Sequence, residues 1–410
     1  MIKIHRTPIR ITCDHARVLL RPFEMSEERM RKITHRVLSM QKAEIELQLQ
    51  NVLDDFKNRH IDFESTLMRR YKEVSKFIDK HKSLSHGAKL LLGAYFSCEY
   101  SLESAALFNP SIVWHPDQSG LPDGSRRFIM SLRATGEGHI SSLVFRTGTI
   151  DSDNKIRIDE ITRFVTAPDI VPGSNLKSDY QIQFPEKSKL SERAIFPMTP
   201  DESNGIEDTR FVEFTDENRN RTYYATYTAY DGKIILPKLA ETADFRTFTI
   251  RTLHGSEVKN KGFALFPRKI GGQYAMLSRQ DGENNYIMFS DKLDLWNSKQ
   301  KIMEPEYPWE FVQLGNCGSP LETEDGWLVF SHGVGPMRRY CISAFLLDLK
   351  NPAKVIGRLK EPIICPNDDE REGYVPNVVY SCGGLIHNHK LILPYAMSDY
   401  ASSVALLDLN

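Results

Sequence analysis

From Asn109-Pro110 onward the sequence consists of short runs in which apolar and polar residues alternate, and the pattern continues to the end of the chain. A period of two is typical of half-buried β-strands, and turns rich in Gly, Asp, Asn and Pro separate the runs. A helical period is nearly absent from this part of the sequence. So many short strands predict an all-β sandwich, barrel or propeller.

A soft internal repeat favours the propeller. In each repeat a turn is followed by a strand that is apolar or rich in aromatic residues. The five sites are about 50 to 100 residues apart, which fits one four-stranded blade each in a fold that usually has four to eight blades. The five sites are residues 123–128, 220–224, 272–275, 325–328 and 388–391.

The N-terminal part of the chain has a different character. Residues 1–25 alternate in the manner of one or two strands. Ser26-Glu27-Glu28 then predicts a helix N-terminus, because a hydroxyl cap and early acids stabilise the first turn. A helical period continues to about residue 97. We therefore expect an N-terminal strand with a helical extension at 1–104 and a catalytic domain at 105–410.

Two segments of this extension, 41–58 and 62–79, carry apolar stripes with faces of mixed charge behind them, and a break follows at 82–87. Such stripes predict that the helices pack against the main domain or against a second copy of the chain, which would give a homo-oligomer. The helices show no net basic face, so we do not expect nucleic acid as a partner.

Composition excludes several classes of protein. The formal net charge is -1, so no global field attracts nucleic acid or an anionic membrane. No apolar run reaches the roughly 18 residues of a spanning helix, and the first residues lack an apolar signal core. We expect a cytoplasmic protein, or a periplasmic one if a signal peptide has been removed.

The 6 cysteines are scattered without a zinc-ligand spacing, which argues against a metal site. Reduced thiols are the expected state, although composition also permits disulfides.

The stretch Asn204-Gly205-Ile206-Glu207-Asp208-Thr209-Arg210 lies almost at the midpoint of the chain. It combines two adjacent carboxylates, an Arg and a Gly-containing turn directly before a strand. Loops on a rigid scaffold carry much of the chemistry of enzymes, so this stretch is a candidate site. The structural alternative is a turn closed by an Asp–Arg ion pair.

Residues 205–210 (GIEDTR) resemble the GxEDPR motif of glycoside hydrolase family 130, the β-mannoside phosphorylases and mannosidases, with Thr209 in place of the usual Pro. Further motifs resemble those of the family in the same order, over about 105–410. They are 108–110 (FNP), 132–134 (LRA), 260–267 (NKGFALFP), 274–279 (YAMLSR), 326–334 (GWLVFSHGV), 346–356 (LLDLKNPAKVI) and 395–399 (YAMSD). The resemblance implies a five-bladed β-propeller, in agreement with the five repeat sites.

The resemblance also implies roles for the motif residues. Asp208 corresponds to the proton donor, which in this family acts through a sugar hydroxyl, and we expect Glu207 to orient its neighbours. Four residues match the mannose-binding motifs, and three more are additional candidates. The four are Asn109, Arg133, Tyr395 and Asp399, and the three are Arg146, Arg210 and His139. The implied substrate is a β-mannoside oligosaccharide, with a β-1,2 linkage as the best match.

The second reactant is either water or phosphate. A phosphate site needs several cations or N–H donors around one point. The chain keeps Lys261, Arg279 and His332 from the family's phosphate motifs, but has Gln313 and Gly262 where the phosphorylases carry a Lys and an Asn-type donor.

Two carboxylates beside these positions change the expectation. Glu241 and Glu283 would repel phosphate but could activate a water molecule, as in the mannosidase-like branch of the family. We therefore expect an inverting β-mannosidase that uses Asp208 as acid and needs no cofactor. The first alternative is a phosphorylase that uses inorganic phosphate and releases mannose 1-phosphate. The others are a non-catalytic carbohydrate-binding propeller and an arabinanase-type enzyme.

Overall fold

The computed structural model describes residues 4–78, 83–175 and 179–409. The chain divides into two compact units. Unit 1 comprises Met1–Cys13, Glu103–Ile161 and Ala167–Asn410, and unit 2 comprises Asp14–Leu102 and Thr162–Thr166.

The described residues form four α-helices and 27 β-strands, besides short 3-10 turns. The helices are α1 (Glu27–Leu38), α2 (Lys42–Phe56), α3 (Phe63–Val74) and α4 (His86–Tyr95). The strands are β1 (Ile4–Arg6), β2 (Val18–Pro22), β3 (Ser97–Ser101), β4 (Ala106–Trp114), β5 (Arg126–Thr135), β6 (Ser141–Ile150), β7 (Ile156–Ile158), β8 (Asp169–Ile170), β9 (Tyr180–Gln183), β10 (Ala194–Ile195), β11 (Gly205–Thr215), β12 (Arg221–Tyr230), β13 (Ile235–Thr242), β14 (Thr247–Thr252), β15 (Ala264–Leu265), β16 (Tyr274–Ser278), β17 (Asn285–Ser290), β18 (Gln300–Met303), β19 (Gln313–Asn316), β20 (Leu321–Glu322), β21 (Trp327–Val334), β22 (Tyr340–Leu347), β23 (Val355–Arg358), β24 (Val379–Tyr380), β25 (Leu385–His387), β26 (Lys390–Met397) and β27 (Ala401–Asp408).

Unit 2 contains the four helices and the two-stranded sheet β2–β3. Helix α1 begins as the sequence predicts, because the Ser26 side chain accepts a hydrogen bond from the Arg29 amide. The predicted helix 41–58 corresponds to α2, and 62–79 corresponds to α3 and a 3-10 turn that ends at Phe77. The end of that prediction, residue 79, and the start of the predicted break at 82 lie outside the described residues.

Within the described part of the chain, unit 1 contains five antiparallel β-meanders of four strands each, and the short strands β8, β9, β10, β20 and β25 pair at their edges or ends. Meander 1 is β4–β5–β6–β7, meander 2 is β11–β12–β13–β14 and meander 3 is β15–β16–β17–β18. Meander 4 is β19–β21–β22–β23, and meander 5 is β24–β26–β27–β1. Meanders 1 and 2 join in one sheet through the pair Gly205 and Ser141. The alternating pattern of the sequence therefore becomes a repeated unit that buries one layer of apolar side chains between neighbouring sheets.

Strand β1 belongs to unit 1, although the predicted boundary at 104 assigns it to the N-terminal domain. Ile4 pairs with Leu407 and Arg6 pairs with Ala405, so the first described residues form the outer strand of meander 5. Without β1, strand β27 would be an exposed edge with unpaired N–H and C=O groups. This pairing is between residues far apart in the sequence, and the local pattern of 1–25 gives no indication of it.

The five predicted repeat sites are the turns that lead into the second main strand of each meander, which are β5, β12, β16, β21 and β26. We call the opposite end of each meander its upper end. At the upper end this second strand turns into the third main strand of the meander. The upper-end turns are residues 136–140, 231–234, 279–284, 335–339 and 398–400. Several motif residues lie in these turns or within the last strand residues before them.

One disulfide is present among the described cysteines. Cys341 and Cys365 are bonded, with their Cα atoms 4.5 Å apart. The expectation of reduced thiols does not hold for this pair. Cys341 is the second residue of β22 and Cys365 lies in the loop after β23, so only the three-dimensional structure brings the two together.

A buried ion pair in meander 1 removes one residue from the candidate site. Arg146 donates from Nη2 to both carboxylate oxygens of Glu103 at 2.9 and 3.1 Å, and the two side chains are 2% and 0% exposed. Its guanidinium also donates to the Phe145 carbonyl. Arg146 is therefore a structural residue of the sheet, contrary to its place among the additional site candidates.

Replacing Arg146 by Met should lower the free energy of unfolding by about 3–5 kcal/mol, because it removes the cation that donates to both oxygens of the buried Glu103 carboxylate. Urea unfolding followed by tryptophan fluorescence measures the change. The matched control is Lys390→Met, which removes the half-exposed partner of Asp408. That variant should lose no more than about 1 kcal/mol. Equal losses in the two variants would contradict this assignment.

Candidate functional site

Two backbone distortions place the central polar side chains. Asp208 lies at a register shift in β11, between Glu207 and Arg210, and has φ of 50°. Asn109 lies at the corresponding shift in β4 and also has φ of 50°. Asn and Asp adopt this left-handed conformation more readily than other side-chain-bearing residues, and bulges re-aim side chains. The Asn109 amide donates to Asp208 Oδ1 at 2.6 Å, so the two bulges meet.

Arg133, near the upper end of β5, connects the two carboxylates of the central motif. Its Nη2 donates to Glu207 Oε1 at 2.7 Å, and its Nη1 donates to Asp208 Oδ1 at 3.3 Å. Its Nε donates to Ser141 Oγ, which fixes the plane of the guanidinium. Lys261 Nζ lies 4.0 Å from the other oxygen of Glu207. Glu207 thus holds two cations beside Asp208, in agreement with the orienting role expected for it.

The electrostatic environment gives the two aspartates of the site, Asp208 and Asp399, different pKa values. Burial alone would raise the pKa of Asp208, but the charges of Arg133, Lys261 and Arg210 outweigh it and lower the pKa to about 2. Asp399, in the upper-end turn of meander 5, is the opposite case. Burial and the negative charge of Asp208 raise its pKa to about 6, against the effect of Arg133. Two neighbouring carboxylates therefore hold protons over different pH ranges.

Two further guanidinium groups lie beside this cluster, and neither forms an ion pair with a carboxylate of the described residues. Arg210 is 2% exposed and donates from Nη2 to the Tyr380 hydroxyl at 2.7 Å. Arg279 is 6% exposed. In both residues the buried Nε and Nη1 have no hydrogen-bond partner. Buried cations with unused donors are costly unless an anion completes them, so this is a place for a bound anion.

Two glycines give Arg279 its position. A Cβ on Gly262, where φ is +94°, would lie 2.9 Å from Arg279 Cγ and Nε. A Cβ on Gly315 would lie 3.0 Å from Arg279 Cδ and 2.4 Å from His332 Cε1. Gly262 therefore does not only lack the hydrogen-bond donor that the phosphorylases carry at this position. Because it has no side chain, it also leaves room for the Arg279 guanidinium.

His332 faces the same region as a neutral side chain. Burial, together with the charges of Arg279 and Arg210, holds the pKa of His332 well below its usual value. The Gln313 amide donates to His332 Nε2 at 3.2 Å, and the Tyr380 ring packs edge-on against the imidazole. Gln313, which replaces the Lys of the phosphorylase motif, therefore orients His332.

Tyr395 makes its hydrogen bond away from this cluster. Its hydroxyl donates to Glu370 Oε1 at 2.6 Å, and Glu370 also accepts from Arg6. The Glu370 carbonyl accepts from the Ser398 hydroxyl at 2.6 Å. This network ends one residue before Asp399. The structure gives Tyr395 a role in supporting the Asp399 turn, whereas the sequence predicted direct binding of mannose.

The expected water-activating Glu241 is not brought to Asp208. Glu241 lies opposite Tyr224 on β12, which lies opposite Val212 on β11. The backbones of Asp208 and Glu241 are two strand spacings apart across the sheet, which is about 10 Å. They are also four residues apart along it, which is about 13 Å. The Glu241 side chain forms an ion pair with Arg251 on the next strand. This geometry contradicts the catalytic role predicted for Glu241.

Glu283 and His139 lie in upper-end turns with exposed side chains. Glu283 follows Arg279 in the turn 279–284, and its backbone amide donates to the Asp281 carboxylate. Glu283 therefore lies only four residues from Arg279 in the sequence, and its side chain is exposed to solvent. The His139 ring stacks on the Tyr374 ring with centroids 5.5 Å apart.

Three residues of the site were missed or undervalued by the sequence. Tyr380 and Glu370 belong to no recognised motif, and Arg210 was only an additional candidate. The sequence did contain a signal for these positions, at or near the first strand of most meanders. Asn109, Asp208, Asn260 and Asn377 all have positive φ at or just before the first strands of four meanders. Reading Asn and Asp as left-handed positions would have drawn attention to the segment that contains Tyr380.

Among residues 4–78, 83–175 and 179–409, no group of three or more His, Cys, Asp or Glu side chains is arranged to hold a metal ion. Within the same ranges no helix has the length and apolar character needed to cross a membrane.

Comparison with known families gives a match over more than half of the chain. A family model described as beta-1,4-mannooligosaccharide phosphorylase (Glyco_hydro_130) matches residues 176–410. The chain is 35% identical over 230 residues to a 1,2-beta-oligomannan phosphorylase of Thermoanaerobacter sp. (strain X514), a match that covers 54% of this chain and 74% of that protein. It is 34% identical over 223 residues to a beta-1,2-mannobiose phosphorylase of the same strain, covering 51% and 68% of the two chains.

A solved structure is similar in fold. It comes from work reporting that the GH130 family of mannoside phosphorylases contains glycoside hydrolases that target beta-1,2 mannosidic linkages in Candida mannan. The TM-score is 0.54 at 20% identity, and the match covers 75% of this chain and 86% of that one.

Asp399→Asn should be more stable than the parent protein at pH 7–8. The raised pKa of Asp399 means that the folded state resists ionisation, so stability is present below the unfolded value of about 3.8 and is lost as the pH rises toward 6. The advantage of Asn should therefore grow from pH 4 and level off above about pH 6, at the order of 1–3 kcal/mol. Thermal unfolding across this range measures it, and an advantage that is constant with pH would contradict the assigned pKa.

Proposed function

The chain belongs to glycoside hydrolase family 130, and on this basis we propose that it is a β-mannoside phosphorylase that cleaves β-1,2-linked mannosides with inorganic phosphate. The observation that carries the proposal is the pair of buried guanidinium groups of Arg210 and Arg279, whose Nε and Nη1 donors are unused. Phosphate provides several strong acceptors and close to two negative charges. The names of the two Thermoanaerobacter relatives support the same reaction and linkage.

This proposal replaces the hydrolase that the sequence favoured. That expectation depended on two carboxylates that would oppose phosphate and hold water. Glu241 is paired with Arg251 on an outer strand, and Glu283 is exposed. The region around Arg279 therefore keeps its positive charge, with Lys261 and the neutral His332 as further groups that could contact phosphate oxygens.

We also propose that the five meanders are the blades of a five-bladed propeller. Each meander contacts the next one in chain order, and the fifth contacts the first. Meanders 1 and 2 meet through Asn109, 2 and 3 through Lys261, and 3 and 4 through the packing of Gly315 on Arg279. Meanders 4 and 5 meet through the rings of His332 and Tyr380, and the Cys382 amide of meander 5 donates to Pro110 of meander 1. A ring of this kind gathers residues from every blade at the axis.

The reaction then proceeds with inversion. A phosphate oxygen forms the new bond to the anomeric carbon on the face opposite the glycosidic oxygen, whose bond to that carbon breaks. The departing oxygen receives a proton that originates at Asp208, by way of a sugar hydroxyl as in related enzymes. In the free enzyme Asp208 is ionised at neutral pH, since its pKa is about 2. A phosphate dianion nearby raises that pKa, so proton uptake accompanies phosphate binding.

With β-1,2-mannobiose as substrate, turnover should require phosphate, saturate with it and yield one mannose 1-phosphate per mannose. Arg279→Gln should raise the KM for phosphate roughly 10–100-fold, because a hydrogen bond to a charged group contributes about 1.5–3 kcal/mol. Glu241→Gln is the matched control and should behave like the parent enzyme. Ion chromatography of the products measures the outcome. Release of two mannoses in phosphate-free buffer would establish hydrolysis instead.

Asp208→Asn should reduce kcat by roughly 10²–10⁴-fold, the range associated with general acid catalysis. The amide oxygen can still accept from Asn109 and Arg133, so the variant should fold, but its free energy of unfolding at pH 7 should fall by about 2–3 kcal/mol because the lowered pKa of Asp208 means that its charge stabilises the folded state. Glu213→Gln, on the same strand in a partly exposed ion pair with Arg221, provides the control. Near-normal turnover by the Asp208 variant would show that the proton comes from another group.

A further inference from the structure

Two upper-end turns share one backbone conformation. In meander 1 the Gly136 amide donates to the Ile140 carbonyl at 3.0 Å, and in meander 4 the Gly335 amide donates to the Arg339 carbonyl at the same distance. The two inner residues of each turn have positive φ, which is 68° and 60° in 136–140 and 58° and 55° in 335–339. His139 and Arg338 thus occupy equivalent positions. Neither is a Gly, so each turn keeps a side chain where the backbone would favour none.

The His139 ring forms a platform with Tyr374 from meander 5. The centroids are 5.5 Å apart with 27° between the planes, and Tyr374 is 64% exposed. Ring stacking between exposed residues of two different meanders leaves large faces open to solvent. Such faces suit the C–H surface of a sugar ring, and the polar edges of His and Tyr suit its hydroxyls.

The platform is tied to the turn that carries Asp399. The Val375 amide donates to the Ser398 carbonyl at 3.0 Å. A Cβ on Gly373 would lie only 2.4 Å from the same carbonyl. Tyr374 is therefore held between two residues that contact the immediate neighbour of Asp399.

We propose that the stacked rings of His139 and Tyr374 form an additional saccharide subsite, which binds a sugar unit beyond the two that flank the scissile bond. The enzyme then acts better on β-mannosides of three or more units than on the disaccharide. This inference rests on the proposed function for the class of substrate. It assigns the preference for chain length to these two side chains.

The test compares kcat/KM for β-1,2-mannotriose and β-1,2-mannobiose at saturating phosphate, with cleaved bonds counted by total product. The parent enzyme should prefer the trisaccharide. Tyr374→Ala should lower that preference about 3–10-fold, the equivalent of the roughly 0.5–1.5 kcal/mol of an aromatic contact. Tyr374→Phe should retain the preference, because the ring face carries the contact.

His139→Ala should act in the same direction, and its matched control is His389→Ala. His389 is also exposed and also has φ of 60°, but it lies in the turn before β26, at the opposite end of meander 5. The control should keep the parental preference. Equal losses on both substrates in Tyr374→Ala, or an unchanged preference, would overturn the subsite.

The failure of the proposed function gives a different result. If water replaces phosphate, the products change but the ratio between the two substrates still reports on the subsite. If neither substrate is cleaved, calorimetric titration of β-1,2-mannotriose decides. Tighter binding to the parent protein than to Tyr374→Ala supports the subsite, and equal or undetectable binding to both rejects it.

Discussion

The contact between Arg133 and the adjacent carboxylates of Glu207 and Asp208 is the interaction on which the rest of the site depends. It crosses from one meander to the next at the point where both first strands are bulged. A buried ion pair of this kind adds little net stability, since desolvation offsets most of the attraction. Removing one partner, however, would leave a buried charge. The pair therefore fixes a single arrangement of the two bulges, and with it the direction in which Asp208 points.

The charge balance of the site follows from this arrangement. Glu207 and Asp208 form ion pairs with Arg133 and Lys261, but within the described part of the chain no carboxylate forms an ion pair with Arg210 or Arg279. One half of the site is therefore neutralised by its own residues, and the other half retains positive charge for an incoming anion. Asp399 retains its proton up to about pH 6, so it adds less negative charge than a third ionised carboxylate would.

Much of this could be predicted from the sequence, because strands and turns depend on local pattern. The predicted strands lie within or overlap those of the structure, and the motif residues Asn109, Arg133 and Asp208 form one contact network. The failures concern partners distant from the site. Glu241 lies on β13, a strand that the alternating pattern did not reveal, and a period of two cannot say how far a strand lies from the centre of its sheet. Tyr395 was misassigned because its partner Glu370 belongs to a loop with no motif.

The pairing of β1 with β27 affects the order in which the parts of unit 1 can fold. Among the described strands, Ile4–Arg6 is synthesised before all the others, but the strand that it completes, Ala401–Asp408, is synthesised after them. Four meanders can form from neighbouring segments as they emerge, whereas the fifth depends on contacts that span almost the whole chain. Closing so long a loop is entropically expensive and slow. Until it closes, Glu370, which accepts from Ser398 beside Asp399, lacks its ion pair with Arg6, so the Asp399 turn is the last part of the candidate site to reach its final form.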